Sequence, residues 1–176
     1  MAGQVAIITG GAGAIGEGVA RILLDAGACV ALLDFDEDAA KAAAKRLGKG
    51  TLAVTADVTS EDSMTAAMEK VCRTFGGVDI IVPNAGVAHS APILEHDLAD
   101  WQRLTAVNQT GVFLTLKTAG KILRRQNQGG SVVVISSKNV LAPGTEFSAY
   151  SASKAGAHQL AKVAALEWAT ENVTVN

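Results

Sequence analysis

Tyr150 is the only tyrosine in the chain, and it stands four residues before Lys154 in Tyr150-Ser151-Ala152-Ser153-Lys154. At i and i+4 on a helix the two side chains share one face. Taken alone, that spacing is common and describes a packed tyrosine beside a solvated lysine. Ser137 lies thirteen residues before Tyr150, with Ser136 next to it, and either serine also reads as a loop cap. Together a phenol, a hydroxyl and an ammonium suit hydride transfer between an alcohol and a carbonyl, because the alcohol proton needs a base as the hydride leaves. A free phenol titrates near pH 10, about three units above neutrality, a gap of roughly 4 kcal/mol. One ammonium at ~4 Å offsets about that much at an effective dielectric of ~20.

Hydride chemistry needs a carrier, and the start of the chain holds a place for one. Thr9-Gly10-Gly11-Ala12-Gly13-Ala14-Ile15-Gly16 follows the apolar run Val5 to Ile8 and opens into Glu17 to Leu24, which has helical period. A strand turning through glycines into a helix collects backbone N–H groups at the positive end of the helix dipole, where a phosphate is held. Gly11, Gly13 and Gly16 satisfy the G-x-G-x-x-G spacing, although a lone glycine pattern equally describes a turn without ligand. Asp34 closes the next apolar run, Cys29 to Leu33, eighteen residues past Gly16. There a carboxylate takes both hydroxyls of an adenosine ribose. The two features specify a dinucleotide site, and one built for NAD.

The elements that must position these groups alternate along the chain. Strands are expected at 4–9, 28–33, 51–55, 78–82 and 131–135, with one beginning at 172–176; helices at about 14–26, 36–47, 61–75, 97–126 and 148–170. Runs such as Val132-Val133-Val134-Ile135 are continuously apolar, as strands covered on both faces should be. The alternation predicts an α/β fold, a doubly wound parallel sheet in one domain spanning 1–176. Gly27 and Gly48 sit where two helices should end, and Ser60 before Glu61-Asp62 reads as an N-cap. Pro92 and Pro143-Gly144 fall in loops at the carboxyl ends of strands four and five, the edge where such sheets bind ligands.

Composition narrows the classes. Hydrophobic residues make up 49% and charged residues 18% of the 176, and the net charge is −2. That charge offers no footprint for nucleic acid or anionic lipid. No apolar run approaches the length of a membrane span. Cys29 and Cys72 lack C-x-x-C spacing and read as reduced core thiols of a cytoplasmic protein. His89, His96 and His158 form no ligand cluster in the sequence, so no metal site is expected.

With these motifs in place the chain resembles a short-chain dehydrogenase/reductase from Met1 to Asn176. Thr9-Gly10…Gly16, Asp57-Val58, Asn84-Ala85-Gly86, Asn108, Ser137, Tyr150 and Lys154 stand in that family's order and spacing. The resemblance implies a Rossmann-type fold with Gly10, Gly13, Ile15, Gly16, Asp34, Asp57, Val58, Asn84, Ala85 and Gly86 around the cofactor. It implies that Tyr150 is the acid/base and that Ser137 holds the substrate oxygen. Lys154 would lower the tyrosine pKa and bind the nicotinamide ribose beside Tyr150. Asn108 would order a water linking Lys154 to solvent. Ser136 would point elsewhere, as a backbone cap. Alanine at position 14, where the family usually has glycine, adds a methyl near the pyrophosphate. Pro83 replaces an asparagine that often precedes Asn-Ala-Gly. Neither Gly13 nor Phe35 is basic, so a 2′-phosphate would meet only the Asp34 carboxylate.

A narrower likeness rests on Ser137 to Gly144 and Asn84 to Ile93, which are similar to the dehydrogenase half of bifunctional rhamnulose-1-phosphate aldolase/alcohol dehydrogenases. It implies a small alcohol or carbonyl substrate, such as a sugar-derived hydroxyaldehyde. The helices at 97–126 and 148–170 pair between subunits in the family, which implies a homodimer or homotetramer. The sixth strand is expected to begin and then stop, so the part of the fold that follows it in the family is absent. A second reading therefore stands beside the enzyme: an NAD-binding module without turnover, a sensor or an inactive truncated domain.

Overall fold

A computed structural model describes all 176 residues. Six parallel strands form one sheet in the order β3-β2-β1-β4-β5-β6. These are β1 (Val5–Thr9), β2 (Cys29–Asp34), β3 (Thr51–Thr55), β4 (Ile80–Val82), β5 (Gly130–Val132) and β6 (Val173–Val175). The connecting helices are α1 (Ala14–Asp25), α2 (Glu37–Leu47), α3 (Glu61–Phe75), α4 (Leu98–Thr105), α5 (Gly111–Gln126) and α6 (Ser148–Trp168). The chain runs outward from β1 to β3 on one side and from β4 to β6 on the other. This leaves a crevice at the carboxyl ends of β1 and β4, where the winding reverses.

Strand alternation sorts the apolar side chains into two cores. Ile7, Ala31, Leu33, Ile81 and Val132 face one layer and pack with Met64, Met68 and Val71 of α3, Leu116 and Ile122 of α5, and Ala157 and Ala161 of α6. Ala6, Ile8, Val30, Leu32, Ile80 and Val82 face the other, against Ala20 of α1 and Ala43 of α2. Burial on both faces explains why these strands read as unbroken apolar runs.

Boundaries moved where side-chain pattern and backbone pairing part company. The strands expected at 78–82 and 131–135 shorten to Ile80–Val82 and Gly130–Val132. Val133 and Ile135 still donate to Ile81 and Pro83, so pairing trails on beyond β5. The helix expected at 97–126 contains a π-helical turn over Ala106–Thr110 between α4 and α5, and Gly111 N–H donates to the Ala106 carbonyl five residues back. That wide turn carries Asn108. The expected helix 148–170 ends at Trp168 and tightens into a 3₁₀ turn, Ala169–Glu171. Ser60 caps α3 by accepting from Ser63 N–H at 3.3 Å. Gly27 and Gly48 stand at the ends of α1 and α2 with φ of 90° and 83°; after the C-cap Ala26, the N–H groups of Gly27 and Ala28 close the last turn of α1 on Leu24 O and Leu23 O. Both cysteines are free and half-buried at the margin of the larger core.

Candidate active site

The glycine turn divides into glycines that pack and glycines that face outward. A Cβ on Gly10, whose φ is +62°, would lie 2.8 Å from Ala85 Cα; one on Gly11 would lie 2.8 Å from Leu32 Cα. On Gly16 it would sit 2.5 Å from the Gly10 carbonyl oxygen. These three are required by packing, because only a residue without Cβ lets the segments approach so closely. Gly13 differs: it is exposed, and a Cβ there meets only Gly10 O at 3.4 Å, an ordinary contact. Gly13 is the N-cap of α1, with no side chain capping the helix. The N–H groups of Ala14, Ile15 and Gly16 donate to no protein group. Exposed Ala14 and Ile15 thus present unpaired donors at a helix start, a fit for the phosphates of a dinucleotide.

Asp34, at the end of β2, reaches this turn. One carboxylate oxygen accepts from Ala12 N–H at 2.9 Å and the other from Asp36 N–H at 3.2 Å. The carboxylate is therefore oriented by backbone donors, with acceptor capacity left on each oxygen. Phe35 beside it is 78% exposed, leaving no cation at the position where a 2′-phosphate would need one.

Asn84 braces the turn from the opposite strand. Its amide donates to the carbonyls of Thr9 (2.9 Å) and Gly10 (3.0 Å), while the N–H groups of Asn84 and Ala85 donate to Thr9 Oγ1 at 3.0 and 3.1 Å. The side chain expected among the cofactor contacts is committed to holding β1 and β4 together at the crevice. Val58 is likewise buried: a Cβ on Gly111 would lie 2.8 Å from Val58 Cγ2, so its side chain seats the start of α5. Asp57 Oδ1 accepts from Thr59 N–H and Thr59 Oγ1 at 2.8 and 2.7 Å, which shapes the turn leading to α3.

Two of the catalytic candidates, Asn108 and Lys154, meet beside Gly86. A Cβ there would stand 3.2 Å from Asn108 Oδ1 and 3.4 Å from Lys154 Nζ, so the Asn-Ala-Gly turn, the π turn and α6 meet at this glycine. Lys154 is 4% exposed and donates to Ile135 O at 2.8 Å. No carboxylate pairs with it, and burial pushes its pKa below the ordinary lysine value. The solvated lysine that spacing alone suggests is thus a desolvated one.

Asn108 is fully buried, and its carboxamide makes three hydrogen bonds. Oδ1 accepts from Val87 N–H at 2.8 Å, and Nδ2 donates to Val87 O (2.8 Å) and Ser153 Oγ (3.0 Å). Ser153 in turn donates to Tyr150 O at 2.9 Å. Asn108 therefore acts through its side chain as a clamp between the segment at Val87 and α6, with both amide hydrogens committed and one lone pair of Oδ1 left over. Nothing in the sequence marked Ser153 beyond its place in the Tyr-to-Lys stretch. Tyr150 is half-buried, its ring edge against Phe147 with centroids 6.1 Å apart.

The backbone cap expected of Ser136 is made by Ser137 instead. Ser137 Oγ accepts from Asn139 N–H at 3.2 Å and caps the 3₁₀ turn Lys138–Val140, whereas Ser136 Oγ is buried without a partner. The cap is Ser137 because its extended backbone (φ −151°, ψ 152°) directs the hydroxyl along the turn. Asn139, 8% exposed, carries the link onward to Ser151 Oγ at 3.4 Å. Histidines distant in sequence also meet: the rings of His89 and His96 lie edge to face at 5.5 Å, and His89 Nε2 is 3.4 Å from Asp100. No three histidine, cysteine or acidic side chains converge to hold a metal. No helix is long and apolar enough to cross a membrane.

Comparison with known proteins identifies the family. The chain matches the short chain dehydrogenase family over residues 4–176. It is 39% identical to the uncharacterized oxidoreductase YuxG of Bacillus subtilis (strain 168), over 98% of this chain and 26% of that protein. It is also 39% identical to cis-4-hydroxycyclohexanecarboxylate dehydrogenase of Sinomonas cyclohexanicum, over 98% of this chain and 70% of that one. Among solved structures, 3-ketoacyl-(acyl-carrier-protein) reductase from Brucella melitensis complexed with NADH superposes with a TM-score of 0.96 at 30% identity, covering 99% of this chain and 73% of that one. The chain thus spans about a quarter of the first relative and about 70% of the others. A six-stranded parallel sheet, a glycine turn that leaves helix donors free, and a family match across nearly the whole length lead to one conclusion: this chain belongs to the short-chain dehydrogenase family of oxidoreductases.

Proposed function

We propose that this chain is an NAD-dependent dehydrogenase/reductase acting on a small alcohol or carbonyl compound through Ser137, Tyr150 and Lys154. The observation that carries the reading is the buried ammonium of Lys154, unpaired with any carboxylate and one helical turn along α6 from Tyr150. An uncompensated charge in that position costs stability, and a purely structural site would have replaced it. When bound, the nicotinamide supplies the hydride acceptor or donor. Tyr150 exchanges the proton of the substrate hydroxyl, and the Lys154 ammonium favours the phenolate by its charge. Ser137 donates its O–H to the substrate oxygen while its Oγ continues to accept from Asn139 N–H. Asn108 keeps Gly86, Val87 and α6 in register around them.

NAD is preferred because Asp34 meets the adenosine ribose where no cation stands to receive a 2′-phosphate. Gly10, Gly13, Ile15 and Gly16 line the phosphates; Asp57, Val58, Asn84, Ala85 and Gly86 shape the walls, three of them through the bonds described above. The protein is cytoplasmic and pairs with copies of itself as a dimer or tetramer through α5 and α6, whose outer faces expose Phe113 and Leu166. A sugar-derived hydroxyaldehyde, as in the dehydrogenase half of a rhamnulose-1-phosphate aldolase/alcohol dehydrogenase, is the substrate class proposed. The match to only 26% of YuxG supports the placement of such a domain within a longer relative.

The test is Tyr150→Phe, assayed for turnover and for NADH and NADPH binding by fluorescence titration. Turnover should fall by about 10²–10⁴-fold, with NADH affinity nearly unchanged and NADPH weaker in both proteins. Activity retained in the variant would remove Tyr150 from the mechanism.

A further inference from the structure

Three residues other than glycine adopt positive φ: Asn127, Asn172 and Glu146. The two asparagines close helical segments in the left-handed conformation that suits them. Glu146, at φ 66°, closes nothing. It lies in the exposed stretch 141–146 just before α6, in a conformation that glycine takes without strain. A long acidic side chain there calls for a reason beyond the backbone.

Its surroundings supply one. The Glu146 carbonyl accepts from Ala91 N–H at 2.9 Å, Ala91 and Phe147 form an isolated parallel bridge, and Phe147 abuts the Tyr150 ring. Glu146 therefore stands where the segment after Gly86 meets the entrance to the Tyr150 helix. Ser90 Oγ donates to Glu146 Oε2 at 3.2 Å. Oε1 receives no protein donor, and no cation lies within 4.0 Å of the carboxylate. The pair thus offers an exposed anionic acceptor beside the start of the Tyr150 helix, with a hydroxyl next to it that still has acceptor capacity.

We propose that Glu146 and Ser90 read a hydroxyl on the substrate, so that the site takes neutral polyols and rejects carboxylates of equal length. A polyol hydroxyl donates to Oε1, whereas an anionic terminus there meets an unneutralised like charge. The inference rests on the oxidoreductase reading and names its substrate class.

1,2,4-Butanetriol and 3,4-dihydroxybutyrate differ only at one terminus, a hydroxymethyl against a carboxylate. Each is titrated into the protein–NADH complex by the change in NADH fluorescence, and each is offered with NAD⁺ for turnover. The triol should bind at least about tenfold more tightly. Glu146→Gln, which keeps size and removes charge, should collapse that ratio mainly through weaker triol and stronger acid binding. Glu146→Gly should also lose the preference while raising Tm by about 2–4 °C, as the backbone strain is released. Triol binding without turnover would support the selection and sink the catalytic reading. A ratio unchanged in both variants, an acid bound as tightly as the triol, or no ternary complex at all would overturn the proposal.

Discussion

Lys154 Nζ donates to the carbonyl of Ile135 at 2.8 Å, which ties the middle of the site to the strand segment immediately before Ser136 and Ser137. A backbone carbonyl satisfies one ammonium proton and neutralises none of the charge. Desolvation of the ammonium therefore opposes folding, with the Ile135 bond as its one protein partner.

That cost has a pH signature. Burial lowers the folded-state pKa of Lys154 beneath its ordinary value of 10.5. The unfolded chain therefore binds this proton at higher pH than the folded chain, and the penalty on folding is fully present below the folded pKa. It is relieved as pH rises from the folded pKa towards 10.5. Lys154→Met should raise Tm at pH 7 by about 2–4 °C, for a gain near 1 kcal/mol, and the advantage should shrink in the alkaline range. Turnover should be lost. A variant less stable than the parent at pH 7 would show that the Ile135 bond outweighs desolvation.

The glycines of the turn separate by the same kind of argument. Gly16→Ala forces a Cβ to 2.5 Å from the Gly10 oxygen and should lower Tm by more than about 5 °C. Gly13→Ala meets only an ordinary contact, so folding should be unaffected. NADH affinity should nevertheless fall by about tenfold, since the added methyl occupies the face left to the phosphates. Calorimetry and NADH titration of the two variants give both readings; equal loss of stability would contradict the division.

Asp34 combines two duties, so its substitutions should not behave alike. Asp34→Asn keeps an oxygen for Ala12 N–H and removes the charge, and should narrow the preference for NADH over NADPH with little change in Tm. Asp34→Arg should move the preference further towards NADPH while losing both backbone bonds, lowering stability by about 1–3 kcal/mol. NADH and NADPH titrations with parallel denaturant melts check this. An unchanged cofactor ratio in both variants would remove Asp34 from ribose recognition.

Much of the layout was readable from local chemistry. Unbroken apolar runs bounded by glycine and proline announced strands covered on both sides, and Ser60 announced the start of α3, because such signals act within a few residues. Short-range spacing also brought Tyr150 and Lys154 to one helix. The boundaries of β4 and β5 were less legible, since apolar pattern continues past the point where strand pairing loosens. The π turn at Ala106–Thr110 left no mark in a pattern whose period hardly differs from that of an α-helix.

By itself, then, the amino-acid sequence determined the element order, the glycine turn between β1 and α1, and the placement of Tyr150 and Lys154 on one helix. Only the tertiary structure decided what those groups touch. It set Asn84 to brace Thr9 and Gly10, spent the Asn108 amide on Val87 and Ser153, and gave the cap to Ser137. It also left Lys154 dry, and it paired Glu146 with Ser90, fifty-six positions away. The reason is physical: a side chain's type sets which bonds it can make, but which partner lies within about 3 Å depends on segments far apart in the chain.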